Sequence, residues 1–297
     1  MKITFLGAGV FGSALANIAR DNGHEIKFYD PYKYPDVSLH DATNGSNLNI
    51  FTAPSSAAKD ILPELDKDTP LIIASKGFIS LKPFQNFKKI SALGGAGFAN
   101  DIEIAEGQTK NQTENQSESQ PENQNNPTIT FTTSSETAEN VFSTENIKLE
   151  FTDDTLGILL CGALKNVFAI GAGLYGETDS NAAPMSYLET AISEMRQILE
   201  KNHANPETLR LSCGAADLVL SCTNSSRNFR FGRELKNVVS ENFSSKNSPQ
   251  KAIKTTETVE GLSVINSLEN NSDFITPEST NLFKDIIKTV KENYATK

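Results

Sequence analysis

The sequence predicts an α/β domain over residues 1–152 followed by a mostly α-helical domain over residues 153–297. Three observations carry this division. Short apolar strands alternate with helical stretches through the first half, the pattern of a mostly parallel sheet. A glycine-rich turn, Gly7-Ala8-Gly9-Val10-Phe11-Gly12, sits between the first strand and the first helix. From Thr155 onward the chain reads as helix after helix, beginning with a long apolar run to Gly176.

Lys2 to Leu6 is the first strand, and the helix from Ser13 to Asp21 carries Leu15, Ile18 and Ala19 on one face. It stops at Asn22-Gly23, where glycine suits a left-handed cap. Glu25 to Tyr29 forms a second strand closed by Asp30. A glycine motif between strand and helix, with an acid at the end of the next strand, marks a Rossmann-type dinucleotide site. Gly7 allows the tight turn, Gly9 lets the backbone approach a pyrophosphate, and Gly12 lets helix pack on strand. Amides at the helix start then face the phosphates. Asp30 can accept a bond from a ribose 2′-hydroxyl and would repel a 2′-phosphate, so NAD is preferred over NADP. Lys33 lies close enough to weaken that preference.

Further strands are expected at Leu48–Thr52, Leu71–Ala74 and Ile90–Leu93. Lys76 follows the second of these, at an end where ligands bind in such sheets; a solvated loop lysine is the plainer alternative. Residues 108–126 contain no aliphatic or aromatic side chain and are expected to form a disordered insertion. Strands resume at Thr128–Thr133 and Ile147–Thr152.

Between Asp154 and Glu177 the apolar run holds a single charged residue, Lys165, with Asn166 beside it. Several glycines and a mid-run lysine argue for a core helix rather than a membrane span. A buried lysine loses proton affinity and can exchange a proton near neutral pH. A lysine that snorkels to solvent is the alternative. Leu188, Ala191, Ile192, Met195 and Leu199 mark another helix face, and Asn205-Pro206-Glu207 is a start signal. Asp217 and Ser221 fall one turn apart on a helix. Ser226-Arg227-Asn228, with Arg230 and Arg233 nearby, could grip a phosphate, or could be an exposed basic face with a cap. Thr276-Pro277-Glu278 reads as the start of the last helix, with Leu282, Ile286 and Val290 on its inner face.

The 297 residues are 37% hydrophobic and 22% charged, ordinary for a globular chain. A net charge of −10 argues against nucleic acid or an anionic membrane as partner. Cys161, Cys213 and Cys222 show no metal-ligand spacing and are expected as free thiols, with no metal site. The N-terminus lacks a signal-peptide pattern, which points to a soluble, cytoplasmic protein.

Taken in order, the ordered segments resemble the bacterial-type NAD(P)-dependent glycerol-3-phosphate dehydrogenases. The resemblance runs from Gly7-Ala8-Gly9-Val10-Phe11-Gly12-Ser13-Ala14-Leu15-Ala16 through Ser75-Lys76-Gly77 and Gly95-Ala96-Gly97-Phe98-Ala99. It continues with Leu164-Lys165-Asn166-Val167, Asp217 to Thr223, Ser226-Arg227-Asn228 with Phe231-Gly232, and Val259-Glu260-Gly261. It implies hydride transfer between NAD(P)H and dihydroxyacetone phosphate, giving sn-glycerol 3-phosphate for phospholipid synthesis. Lys165 matches the catalytic proton carrier, and Lys76 a group between substrate and cofactor. Asp217, Gly95 and Gly97 match substrate contacts, while Ser226, Arg227 and Asn228 match the phosphate grip. Val10, Phe11, Ala99, Thr258 and Glu260 match cofactor contacts, which Lys76 and Arg227 share. A homodimer is a candidate assembly.

This chain departs from the family where Gly95-Ala96-Gly97 replaces a stretch carrying proline and a hydroxyl residue. Two alternatives stand beside the main reading: a related dehydrogenase of another small hydroxy acid, and a dinucleotide-binding regulatory protein with weakened catalysis.

Overall fold

The computed structural model describes residues 1–95, 97, 102, 104, 128–176, 181–244, 252–253, 255 and 258–294. The polar insertion at 108–126 and Ala99 lie outside the described residues.

Seven strands form one sheet. They are β1 (Lys2–Leu6), β2 (Glu25–Tyr29), β3 (Leu48–Phe51), β4 (Leu71–Ile73), β5 (Ile90–Gly95), β6 (Ile129–Thr133) and β7 (Ile147–Phe151). Their order is β2-β1-β3-β4-β5-β6-β7. Every neighbouring pair is parallel except β5–β6, which is antiparallel with Leu93 opposite Thr133 and Gly95 opposite Phe131. The central strands β3 and β4 are buried throughout and apolar apart from Asn49, as expected of strands covered on both faces. Edge strand β2 is only partly buried and carries Glu25 and Lys27.

Side-chain alternation sends β1 into two cores. Ile3 and Phe5 pack with Leu15 and Ile18 of helix α1 (Val10–Asp21) and with Phe131 and Phe142. Leu6 faces the other way, into a core shared with the helical half through Leu160, Leu164 and Phe168. Those three belong to the central helix, Thr155–Tyr175, in which every residue from Gly157 to Leu174 is buried. The helix is long and apolar enough to cross a bilayer, yet 94% of its most apolar window is buried against protein. Its apolar circumference therefore matches a helix with packing on all sides.

Around it lie Met185–Lys201, Arg227–Ser244, Glu260–Glu269 and Asn281–Asn293. The crossing with Arg227–Ser244 depends on two glycines. A Cβ at Gly173 would fall 2.0 Å from the Phe229 carbonyl oxygen, and one at Gly232 would fall 2.0 Å from the Ile170 carbonyl oxygen. Backbone meets backbone there, so no side chain can swing aside.

Two helix starts differ from the sequence reading. Asn205 accepts the Glu207 amide as expected, but the helix it begins is a single tight stretch over Pro206–Arg210. The last helix begins at Asn281 rather than at Thr276-Pro277-Glu278. Pro277 instead belongs to a turn, its carbonyl accepting from the Thr280 amide and hydroxyl. The free amides of the helix start are met from elsewhere in the chain. Both oxygens of the buried Glu194 carboxylate accept from Leu282 and Phe283, at 2.9 and 2.8 Å. A cap supplied from a distant helix leaves no local signature.

Gly173→Ala is expected to lower stability by about 1–3 kcal/mol, the usual cost of overpacking a core. Thermal unfolding should show a lower midpoint; an unchanged one would mean the crossing has slack.

Candidate active site

At the carboxyl edge of the sheet, Gly7 makes its turn at φ +116° and donates its amide to the Tyr29 carbonyl. Helix α1 then starts at Val10 with no side chain capping it. A Cβ built on Gly9 meets nothing within 4 Å, so no protein neighbour demands glycine there. The space in front of Gly9 and the uncapped amides together fit a dinucleotide pyrophosphate, the group that Gly7, Gly9, Val10, Phe11 and Gly12 would hold.

Asp30 closes β2 as expected, and its carboxylate is engaged by the protein itself. One oxygen accepts from the Ala8 amide at 2.9 Å, and the other accepts from Tyr32 and Lys33 amides at 3.0 and 3.1 Å. Burial works to raise its pKa, but these three amides and Lys33 outweigh that and hold it below the usual carboxylate value. The Lys33 ammonium donates to the Ala8 carbonyl at 2.5 Å, at the same loop. Asp30 thus braces the glycine turn.

Three remote segments then converge. Lys76, just beyond β4, places its ammonium 3.2 Å from one oxygen of Asp217 and 3.5 Å from the Gly95 carbonyl. Lys165, from the middle of the central helix, donates to the other Asp217 oxygen. Lys165 and Asp217 are 3% and 2% exposed, whereas Lys76 keeps 22% and is the most accessible of the three. The Lys76 ammonium also lies 5.8 Å from the centre of the Phe11 ring, which joins this cluster to the dinucleotide loop. Lys165 therefore does not snorkel.

The electrostatics separate the two lysines. Burial lowers the Lys165 pKa, Asp217 opposes this, and the Lys76 charge adds to the fall; the outcome is about 7. Burial also works against Lys76, but the Asp217 charge prevails and its pKa rises. At neutral pH the cluster accordingly holds one firmly charged ammonium and one that exchanges its proton.

Ser226 and Asn228 are buried, and Arg227 opens the next helix at 46% exposure. The guanidinium donates to Glu260 at 3.0 Å, so two of the sequence-designated residues already meet. Asn228 is enclosed more tightly than the sequence implies. Its amide nitrogen donates to the Asn166 side-chain oxygen at 3.0 Å, and its own oxygen accepts the Gly261 amide at 2.9 Å. Arg230 donates to the carbonyls of Asn224 and Ser225, and Arg233 to the Asn224 side chain, bracing that loop. Thr258 is exposed ahead of Glu260, and Gly97 is buried near Ile129.

Asn166 is the residue that the sequence reading left without a role. It sits in the buried amide chain to Asn228 and Gly261, and its own amide donates back to the Gly162 carbonyl. The available signal was a second polar residue beside Lys165 in an otherwise apolar run. Cys161, Cys213 and Cys222 are free and buried, with burial pushing Cys222 up to about 12. A cavity of about 860 Å³ lies between Ser55–Pro63, the loop Gly77–Phe87 and Ser263–Ser272; it meets the lysine cluster only at Gly77. The chemistry is concentrated beside that cavity, where ionisable groups converge.

Residues 154–297 match the family described as NAD-dependent glycerol-3-phosphate dehydrogenase C-terminus. Over 281 residues the chain is 28% identical to glycerol-3-phosphate dehydrogenase [NAD(P)+] of Oceanobacillus iheyensis, covering 79% of this chain and 76% of that one. The Neorickettsia sennetsu enzyme of the same name is 27% identical, with 82% and 80% covered. In fold, the chain superposes on the crystal structure of glycerol-3-phosphate dehydrogenase from Coxiella burnetii with a TM-score of 0.72 at 19% identity, covering 98% and 94%. Residues 154–297 thus belong to the C-terminal domain family of NAD-dependent glycerol-3-phosphate dehydrogenases, and over most of its length the chain is similar to bacterial enzymes named glycerol-3-phosphate dehydrogenase [NAD(P)+].

Proposed function

We propose that this protein interconverts dihydroxyacetone phosphate and sn-glycerol 3-phosphate with NAD(P); its relatives are named glycerol-3-phosphate dehydrogenase [NAD(P)+]. The observation that carries the reading is a buried lysine with a pKa of about 7, held by Asp217 beside a second ammonium and next to a dinucleotide loop.

NAD(P)H, when bound, supplies the hydride that reduces the substrate carbonyl carbon. Lys165 gives its proton to the carbonyl oxygen, completing the hydroxyl, and recovers one from water. Asp217 keeps Lys165 in place and supports its charged form; Lys76, staying protonated, offsets negative charge gathering on the oxygen. With both lysines protonated, the two ammoniums and one carboxylate leave one net positive charge facing that oxygen. In the reverse direction neutral Lys165 takes the hydroxyl proton. Arg227 exchanges Glu260 for the substrate phosphate, for which its planar fork is suited, with Ser226 and Asn228 at the same helix start. Gly95 and Gly97 line the substrate side. Val10, Phe11, Ala99, Thr258 and Glu260 complete the dinucleotide contacts, with NAD favoured by Asp30. A cytoplasmic location, a homodimer and a boundary near residue 152 form part of the same proposal.

NADH oxidation should be observed with dihydroxyacetone phosphate and not with non-phosphorylated keto acids; the opposite preference would overturn the substrate. Lys165→Ala should lower kcat by about 10²–10⁴, the range for a lost general acid, while NADH still binds.

The pH dependence has a definite sign. Reduction needs the Lys165 ammonium, so kcat/KM for dihydroxyacetone phosphate should fall as pH rises through about 7. Oxidation needs the amine, so that direction should lose activity as pH drops below the same value. Parallel profiles in both directions would remove Lys165 from proton transfer. Arg227→Ala should raise KM for the phosphate ester by about 10-fold or more, the loss expected for a charged hydrogen bond, with a smaller change in kcat.

A further inference from the structure

We infer that Thr132 and Glu150 are positioning residues for Lys165: they hold the turn that carries Asp217 and so set how firmly Asp217 supports the Lys165 charge. The inference rests on the proton-carrier role proposed for Lys165.

Asp217 follows a wide, π-type turn over Ser212–Ala216, a backbone form that tends to occur at functional sites. Gly214 departs from helical angles, at φ −95° and ψ −115°. A Cβ there would fall 2.3 Å from the Leu209 carbonyl oxygen, so one side of the turn is pressed against backbone. The other side is pinned to the sheet. Thr132 and Glu150 are partners across β6 and β7, and the Glu150 carboxylate accepts from the Thr132 hydroxyl at 2.8 Å. The same Glu150 oxygen accepts the Ser212 amide. Thr132 has given its hydrogen to Glu150, so its oxygen accepts from the Ser212 hydroxyl at 2.9 Å and the Cys213 amide at 3.1 Å. Thr132 is fully buried, so these bonds have no water to replace them.

The two amides that open the turn are therefore fixed on the sheet, and the carboxylate that ends it reaches Lys165 and Lys76. Loosening the first moves the second. Asp217 favours the Lys165 ammonium, whereas burial and Lys76 oppose it. If Asp217 recedes, the opposing effects prevail and the lysine gives up its proton at lower pH.

The test uses the full-length protein labelled with 13C at the lysine ε-carbon, titrated by NMR, the Lys165 signal being the one absent from Lys165→Arg. Thr132→Val removes the hydroxyl and should shift the Lys165 titration downward by about one pH unit, a 10-fold change in proton affinity. The alkaline limb of kcat/KM for reduction should move with it. Thr132→Ser, which keeps the hydroxyl, should restore both. Glu150→Ala, at a partly exposed position, should shift them in the same direction and serves if Thr132→Val does not fold. A Thr132→Val or Glu150→Ala protein that melts earlier while its Lys165 titration stays at the wild-type pH would overturn the inference. A titration that shifts in a protein inactive on dihydroxyacetone phosphate would uphold the positioning and refute the proposed reaction.

Discussion

One carboxylate between two ammoniums organises this molecule. Asp217 binds Lys76 through one oxygen and Lys165 through the other, and almost no water reaches it. A buried cation and a partly buried one so close would otherwise repel each other, and an unpaired buried ion costs several kcal/mol in effective desolvation. The carboxylate offsets that cost only if three segments keep their mutual registration. Lys76 comes from just beyond the end of β4, Lys165 from the central helix, and Asp217 from the end of a distorted turn. Conflict between burial and attraction is what brings the Lys165 pKa to about 7, where either protonation state is accessible.

Registration of the helices uses a second, uncharged device. Asn166, Asn228 and Gly261 form a buried chain, and each follows immediately after a residue assigned to the site: Lys165, Arg227 and Glu260. The chain fixes the relative height of three helices at the level of Lys165, Arg227 and Glu260. Closer to the surface, the Arg227–Glu260 ion pair joins two of the same helices. The close crossing at Gly173 and Gly232 keeps the first two helices near enough for these short amide contacts.

Much of this was legible in the sequence because it is local. The glycine turn, the strand before it and the acid after it lie within a single stretch, and the first strands fall close to where their apolar runs place them. Lys165 stood out because it interrupts apolar residues. The features that escaped are long-range. Glu194 caps a helix that begins at Asn281, and Thr132 with Glu150 pins a turn at Ser212. Arg230 and Arg233 lie near Arg227 in the sequence, and both donate to the loop at Asn224. Composition shows which side chains can donate a bond, whereas the partner depends on how distant elements pack.

The antiparallel pairing of β5 with β6 has a further consequence. Because Gly95 lies opposite Phe131, the connection leaves and re-enters the sheet at one edge and needs no crossover of fixed span. An antiparallel connection sets no minimum length, and the closure cost of a chain segment in general grows only logarithmically, about 0.6 kcal/mol for each doubling. Natural variants should therefore differ more in length between residues 95 and 129 than across any parallel crossover of the sheet.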